Sequence, residues 1–242
     1  MQALHQVWSQ GFPQASDFCD QLTLPHRGEM HPLQPYDFQK DLLIHMATDH
    51  RDTLIRSARG MGVSVMMCVH ALWRSLRNFD HNTIMLAPNN SSVSMLLYEL
   101  RQLHTHMRPQ YKLGMRYLTR QQALEFENGS TITLTSSPTH MGAHGVPTHC
   151  IMVDTANQCG NQALYNILMY RSSSSRVKVI MGMGGPTDRD HFLHHHEPHT
   201  FLVNHREVLL PWHLHPHRNE EWASWTRDVY GPALFNSQYG LP

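Results

Sequence analysis

Leu54-Ile55-Arg56-Ser57-Ala58-Arg59-Gly60-Met61-Gly62-Val63-Ser64-Val65 is the stretch on which the fold turns. A short apolar run, residues 52–57, gives way to a turn carrying two glycines. A mostly apolar helix over residues 65–78 follows. A phosphate-binding loop sits between a strand and a helix in this way. Its glycines let backbone N–H groups wrap the phosphates, a lysine reaches the β- and γ-phosphates, and a Ser or Thr hydroxyl ligates magnesium. Gly62 and Ser64 hold the expected spacing before a helix, but Val63 stands in the lysine position. A valine supplies neither charge nor donor. Taken alone, the stretch fits an ordinary strand-to-helix turn equally well.

The segments on either side alternate. Residues 36–49 read as an amphipathic helix after Pro35, 82–88 as a strand, and 91–106 as a helix with apolar spacing of three and four. Residues 122–135 form two alternating runs around Asn128-Gly129, the strongest short hairpin signal. Strands at 150–154, 176–183 and 208–210, with helices at 161–170 and 219–228, complete the pattern. This order predicts an α/β fold: a mainly parallel twisted sheet with helices on both faces. Residues 1–32 are expected to be an N-terminal arm packed on the body through Trp8, Phe12 and Phe18. Residues 33–242 are expected to form one domain, with Ser172 to Ser175 in a loop. Ligands of such sheets bind beyond the carboxyl ends of the strands. The 58–64 turn and Asp154 both fall there.

A second motif is Cys150-Ile151-Met152-Val153-Asp154-Thr155. Four apolar residues ending in an aspartate can hold the water shell of a bound metal. A glutamate in the next position would polarise an attacking water, and Thr155 cannot act as a base near neutral pH. Any buried strand ending in a capping aspartate offers the blander reading.

Composition narrows the classes. The 242 residues carry nineteen basic and nineteen acidic side chains, so no global basic field draws in nucleic acid. Only Lys40, Lys112 and Lys178 are lysines. Cys19, Cys68, Cys150 and Cys159 form no CxxC pair and read as reduced thiols. No apolar run is long enough to span a membrane, and the first residues lack a secretory pattern, so cytoplasmic synthesis is expected. The chain holds 21 histidines, which charge together below about pH 6.5. His191, His194, His195, His196 and His199 cluster. His213, His215 and His217 alternate, so an extended segment would set them on one face as zinc or nickel ligands. Pro211 and Pro216 favour a plain histidine-rich loop instead, or pH-sensitive contacts with partner chains.

Taken in order, these motifs resemble the N-terminal ATPase domain of the large terminase subunit of tailed bacteriophages. Leu33-Gln34-Pro35-Tyr36 with Gln39 is similar to its adenine-side entry motif. Ser57 to Ser64 resembles its loop, with Arg59 at the family arginine. Thr83 to Pro88 resembles the strand after the first helix, and Phe126 to Ser130 with Ser136-Ser137-Pro138 its hairpin. His144-Gly145 falls where the family has Arg-Gly. Asp154-Thr155 falls on Asp-Glu, and Met181 to Phe192 on the coupling stretch.

The resemblance implies a P-loop NTPase-like, RecA-like fold with a nucleotide site at Gln39, Arg59, Gly60, Gly62, Val63, Ser64 and Asp154. Magnesium, if held, would lie on Ser64 and Asp154. The departures gather in the chemistry: Val63, His144, Thr155 and a glycine-rich coupling stretch. From the strand end before the glycines, Arg56 or Arg59 is a candidate to neutralise phosphate charge in the lysine's stead, but neither replaces the glutamate. The expectation is a degenerate, inactive terminase-like protein with no resident cofactor, ATP and magnesium binding only if the altered loop still accepts them. It would be made in the host cytoplasm and serve in the phage particle or beside the packaging machinery. Its partners would be other phage proteins in an oligomeric assembly, with DNA an open contact and no membrane. The RNase H-like nuclease domain usual in the family is expected to be lacking. Two alternatives follow from the same resemblance: a working DNA-packaging ATPase subunit with a deviant Walker A loop, and a decoy that joins a motor ring and poisons it.

Overall fold

The structure is a computed structural model. It describes residues 14–26, 29–48, 51–137, 147–172, 177–184, 193, 202 and 204–240. Trp8, Phe12, Pro138, His144-Gly145, most of the coupling stretch and the 191–199 histidines lie outside these residues.

An eight-stranded sheet organises the domain. Its strands are β3 (Thr53–Ser57), β4 (Asn82–Leu86), β5 (Met115–Leu118), β6 (Ala123–Phe126), β7 (Thr131–Thr135), β8 (Cys150–Val153), β9 (Lys178–Gly184) and β10 (Arg206–Leu210), in the order β10-β3-β9-β8-β4-β7-β6-β5. The run from β10 to β7 is parallel, and β6 and β5 turn antiparallel at one edge. A separate two-stranded ribbon pairs β1 (Thr23–His26) with β2 (Glu29–Pro32). The mainly parallel α/β sheet predicted above is therefore present. The sequence reading missed β5, the ribbon and the last helix.

The helices are α1 (Ala15–Phe18), α2 (Asp37–Thr48), α3 (Val63–Arg77), α4 (Asn90–Thr105), α5 (Asn161–Ser172), α6 (Glu220–Tyr230) and α7 (Pro232–Tyr239). Period-two alternation sends neighbouring residues to opposite sides of the sheet. Ile55, Met85, Met152 and Ile180 join one apolar cluster, with α1 to α4. Leu54, Leu86, Ile151, Val153 and Met181 join another, with Leu164 of α5. Strands buried on both faces read as continuous apolar runs, which is why β3, β4, β8 and β9 were legible. Phe18 is fully buried in the first cluster.

α3 starts two residues earlier than its apolar pattern suggests. Gly62, at φ +75°, ends the loop, and its carbonyl accepts from the Met66 N–H at 3.1 Å. Asn89 caps α4 by accepting from the Ser92 N–H at 2.9 Å, and Asn219 caps α6 through the Trp222 N–H. In the hairpin Gly129 takes φ +81°, and the buried Asn128 amide donates to the carbonyls of Ser75 and Asn78. All four cysteines are free and buried.

One feature of strand order positions the site. The chain leaves β3, runs through α3, and returns as β4 three places away, with β9 and β8 between. The carboxyl ends of β3, β9 and β8 therefore face the same side, and a crevice opens above them. No helix among the described residues is long and apolar enough to cross a membrane.

Candidate functional site

A cavity of about 590 Å³ opens at those carboxyl ends. The whole turn from Ser57 to Val65 lines it, with Asp154, Thr155 and Gln158 after β8 and Gly182 to Gly184 at the end of β9. Met95 of α4 and Gln238 of α7 close its rim. Arg59, Gly60, Gly62, Val63, Ser64, Asp154 and Thr155, all picked from sequence, thus share one wall. Gln39 stands behind it.

The loop is held by its own glycines and by Gln39. Gly60 and Gly62 take φ +76° and +75°, the left-handed region that glycine enters without strain. A Cβ on Gly62 would come within 2.5 Å of the Gln39 amide nitrogen. That amide donates to the Met61 carbonyl at 3.0 Å, and its oxygen accepts from the Tyr36 N–H at 3.0 Å. Gln39 is therefore a strut between the 33–39 entry segment and the loop.

The Ser64 hydroxyl donates to an Asp154 carboxylate oxygen at 2.7 Å. Burial pushes the Asp154 carboxyl above its usual range, while hydrogen bonds from Ser64 and Thr155 pull the other way. A hydroxyl and a carboxylate side by side at the start of a helix are hard oxygen donors, suited to a divalent cation such as magnesium.

The chemical positions differ. Val63 packs against the apolar core beside Gly182: a Cβ built on Gly182 would lie 3.5 Å from the valine Cγ1. Thr155 sits at φ 51°, ψ 52°, a left-handed conformation that costs a β-branched residue strain. Its hydroxyl is turned to Asp154.

The two arginines proposed as substitutes for lysine part company. Arg56 makes an ion pair with Glu207 on the neighbouring strand β10 and does not line the cavity. Its side chain, on a strand rather than in the turn, follows the sheet's alternation away from the crevice, which overturns that expectation. Arg59 does line the cavity. Its guanidinium donates to the Gln238 side-chain oxygen at 3.0 Å, and its N–H to the Gln238 carbonyl at 2.9 Å.

Three contributors escaped the sequence reading. Asn157 donates to the Gly184 carbonyl at 2.7 Å and accepts the Gly184 N–H at 3.2 Å, tying the segment after β8 to the end of β9. Arg218 donates to the Arg59 carbonyl at 2.8 Å and fills the space where a Gly60 side chain would go. Its guanidinium lies over Trp222 and Tyr239. Gln238 reaches the loop from α7. Only Asn157 was near a recognised motif, and nothing in local spacing marks the other two.

The three alternating histidines do not share one face: His215 and His217 lie together, ring centroids 5.6 Å apart, and His213 stands away from them. Residues 212–214 form a 3-10 turn, so the extended segment needed for a shared face is broken. His213 turns to Trp212, while His215 and His217 lie beside Tyr36 with ring centroids at 5.1 and 6.2 Å. Among the described residues no three His, Cys, Asp or Glu side chains gather as a metal site would require.

No model of a known protein family matches the chain, and no curated protein matches it in sequence. Solved structures do match in shape. The large terminase of a thermophilic bacteriophage in complex with ADP superposes with a TM-score of 0.65 at 10% identity, over 84% of this chain and 52% of that one. The large terminase ATPase domain of Thermus phage P74-26 gives 0.58 at 13% identity, over 86% and 93%. The large terminase of bacteriophage HK97 gives 0.60 at 14%, over 75% and 39%. The chain spans about half the length of the first of these. What is shared at such identities is the fold: a P-loop NTPase fold of the kind seen in large terminase ATPase domains.

Proposed function

We propose that this chain is a terminase-type ATPase-fold protein that no longer hydrolyses ATP at a useful rate and serves a tailed phage as an interaction component. The reading is carried by one observation: beside a loop braced by Gln39 and by the Ser64–Asp154 bond stand Val63 and, after β8, Thr155, where the resemblance puts the lysine and the glutamate of hydrolysis. Catalysis of phosphoryl transfer is mainly positioning and charge stabilisation. Val63 packs into apolar surroundings and offers no charge, and Thr155 offers no base.

The remaining groups fit a nucleotide better than they fit its turnover. Loop N–H groups around Gly60 and Gly62 would meet phosphates, Ser64 and Asp154 would hold magnesium, and Gln39 would brace the loop. When bound, magnesium would offset phosphate charge. Arg59 is the one basic side chain lining the cavity among the described residues, and Gln238 holds it.

A phosphate-release assay with and without duplex DNA tests the reading. We expect turnover below about 0.1 per second, against the 1 to 1000 per second typical of enzymes. Turnover above that level, abolished in Asp154→Ala, would instead establish a packaging ATPase subunit with a deviant loop. The intact Ser64–Asp154 pair is the observation that favours this second reading.

A further inference from the structure

α6 carries apolar side chains on both of its sides. Inward, Ala223 and Thr226 are buried, and the Trp222 ring meets Trp212, Phe235 and Tyr239 with centroids 5.6, 6.2 and 5.2 Å away. Trp212 and Tyr239 pack against the main core, so this cluster seats α6 and α7 on the domain. Outward, Trp225 and Val229 stand four positions apart, on one face of the helix. They are 58% and 53% exposed, and Tyr230 beside them is 56% exposed. Eleven large apolar side chains are exposed among the described residues, and six of them fall between Leu209 and Leu234. Apolar residues scattered singly over a surface need no explanation, but a group gathered on one module marks a binding surface.

The charge on this face is of one sign. From Asn219 to Pro242 the chain holds Glu220, Glu221 and Asp228 against a single basic residue, Arg227. Arg227 is occupied: it pairs with Glu220 at 4.0 Å, and its guanidinium lies over the Phe235 ring at 4.4 Å. Glu221 precedes Trp225 by four positions and Asp228 follows it by three, so both carboxylates flank the exposed indole on its own face. Both are exposed, and among the described residues neither has a cationic partner. The face is an apolar strip bordered by two unpaired carboxylates.

Those carboxylates choose among occupants. A second copy docking about a two-fold axis would set the same patch against itself. Glu221 and Asp228 would then approach their own kind, and like charges across an interface are costly. A membrane surface asks for lysine and arginine beside the apolar residues, not for acids. Phosphate-bearing polymers are repelled for the same reason. A cationic amphipathic segment satisfies both halves of the face: its apolar side covers Trp225 and Val229, and its lysines or arginines reach Glu221 and Asp228. Tryptophan is also among the residues whose burial most often anchors an interface.

We propose that the outer face of α6, through Glu221, Trp225, Asp228 and Val229, docks a basic amphipathic helix of a partner protein. None of these four residues lines the loop cavity, and the inference holds whether or not the loop turns over ATP.

Fluorescence anisotropy of a labelled peptide tests it, using the full chain. The probe is an amphipathic helix of about 14 residues, roughly four turns, with leucine on one face and lysine along its flanks. It should bind with a Kd of about 100 µM or tighter. Trp225→Ala combined with Val229→Ala should weaken binding at least about tenfold, the cost of truncating an interface anchor. Glu221→Lys combined with Asp228→Lys should weaken it by as much, and should make a peptide with glutamate in place of lysine the better ligand. Asp17→Lys combined with Glu29→Lys adds the same charge elsewhere, on α1 and β2. It should change the affinity less than about twofold at physiological salt, where screening confines exposed charges to about 8 Å. All six positions are exposed, and unchanged circular dichroism spectra report that the variants fold. Three results with the peptides overturn the proposal: no binding by the parent chain at about 1 mM; equal binding of the glutamate peptide, or of one with alanine in place of leucine; or equal weakening by the two charge reversals. Dimerisation of the parent chain in sedimentation equilibrium, lost in Trp225→Ala with Val229→Ala, would assign the face to a second copy and overturn it as well. So would binding to phosphatidylserine vesicles that the same variant loses. ATP turnover is measured apart from these, so failure here leaves the reading of the loop standing.

Discussion

The two ends of the sheet satisfy their polar groups in different ways. At the carboxyl ends of β3, β8 and β9, side chains around the cavity find partners: Ser64 with Asp154, Gln39 with Met61, Asn157 with Gly184. Towards the amino ends pairing is mixed: Asp52 accepts from the Val179 N–H and the Lys178 ammonium donates to the Met46 carbonyl, while buried polar atoms of Thr53, His70, Ser75, His81 and Thr83 have no hydrogen-bond partner among the described residues. An unpaired buried polar group costs free energy, so the amino end is where the fold tolerates a penalty. The cavity end, in the reading proposed above, lacks a cation at Val63 and a base at Thr155. Bonds that need neither a lysine nor a glutamate keep it in shape.

Acid should expose this difference most strongly. Burial, helped by Arg74 and nearby basic groups, holds His70 well below the ordinary histidine value, and burial and Arg74 bring His81 to about 3. The unfolded chain takes up these protons near pH 6.5 while the folded chain does not. Stability is then complete above about pH 6.5 and falls as pH drops toward 3. Each such histidine removes about 1.4 kcal/mol per pH unit, so the pair should cost roughly 4 kcal/mol by pH 5. Asp154 and Glu99, whose pKa values are raised by burial, act in the opposite sense. Urea unfolding at pH 7 and pH 5 reads the loss. His70→Leu should flatten the dependence by one histidine's share, and an unchanged slope would remove the amino end from the comparison.

At the cavity end, Asn157→Ala should destabilise by about 2 to 3 kcal/mol, since it strands the carbonyl and N–H of Gly184. Hydrogen exchange at the Gly184 amide is the readout, and unchanged protection would show that the clamp does not hold the end of β9. A smaller cost, about 1 to 2 kcal/mol, is expected for Gly62→Ala, which forces a side chain to φ +75° and displaces Gln39. Thermal unfolding should register it. Smallest, and opposite in sign, Thr155→Gly should stabilise by about 1 kcal/mol by relieving a left-handed threonine. A loss there would mean that the Thr155 hydroxyl matters more to Asp154 than its backbone strain.

The parallel core was legible because β3, β4, β8 and β9 are buried on both faces and keep their apolar residues in runs. The Asn128-Gly129 hairpin was legible because its turn chemistry is local. β5 was not: its four residues include the exposed Arg116, and only pairing with β6 makes them a strand. α7 lies beyond the last helix expected from sequence, at 219–228, and starts at Pro232 with the proline in its first turn. The loop residues could be picked because they lie within a few positions of one another. Their support could not, since Arg59 meets Gln238 across 179 positions and Arg218 meets Arg59 across 159. Arg56 misled for a related reason. Its partner Glu207 comes from a strand far along the chain, and no local pattern announces that pair.

The most direct test of the central claim, an ordered loop without its chemistry, is to put the chemistry back. Isothermal titration with Mg·ATP would compare the parent chain with Val63→Lys combined with Thr155→Glu. If the cradle of Gly60, Gly62, Ser64 and Asp154 is intact and lacks only charge, the double variant should bind at least about tenfold more tightly, a gain of about 1.4 kcal/mol. Equal affinity in the two proteins, or tighter binding by the parent, would contradict it.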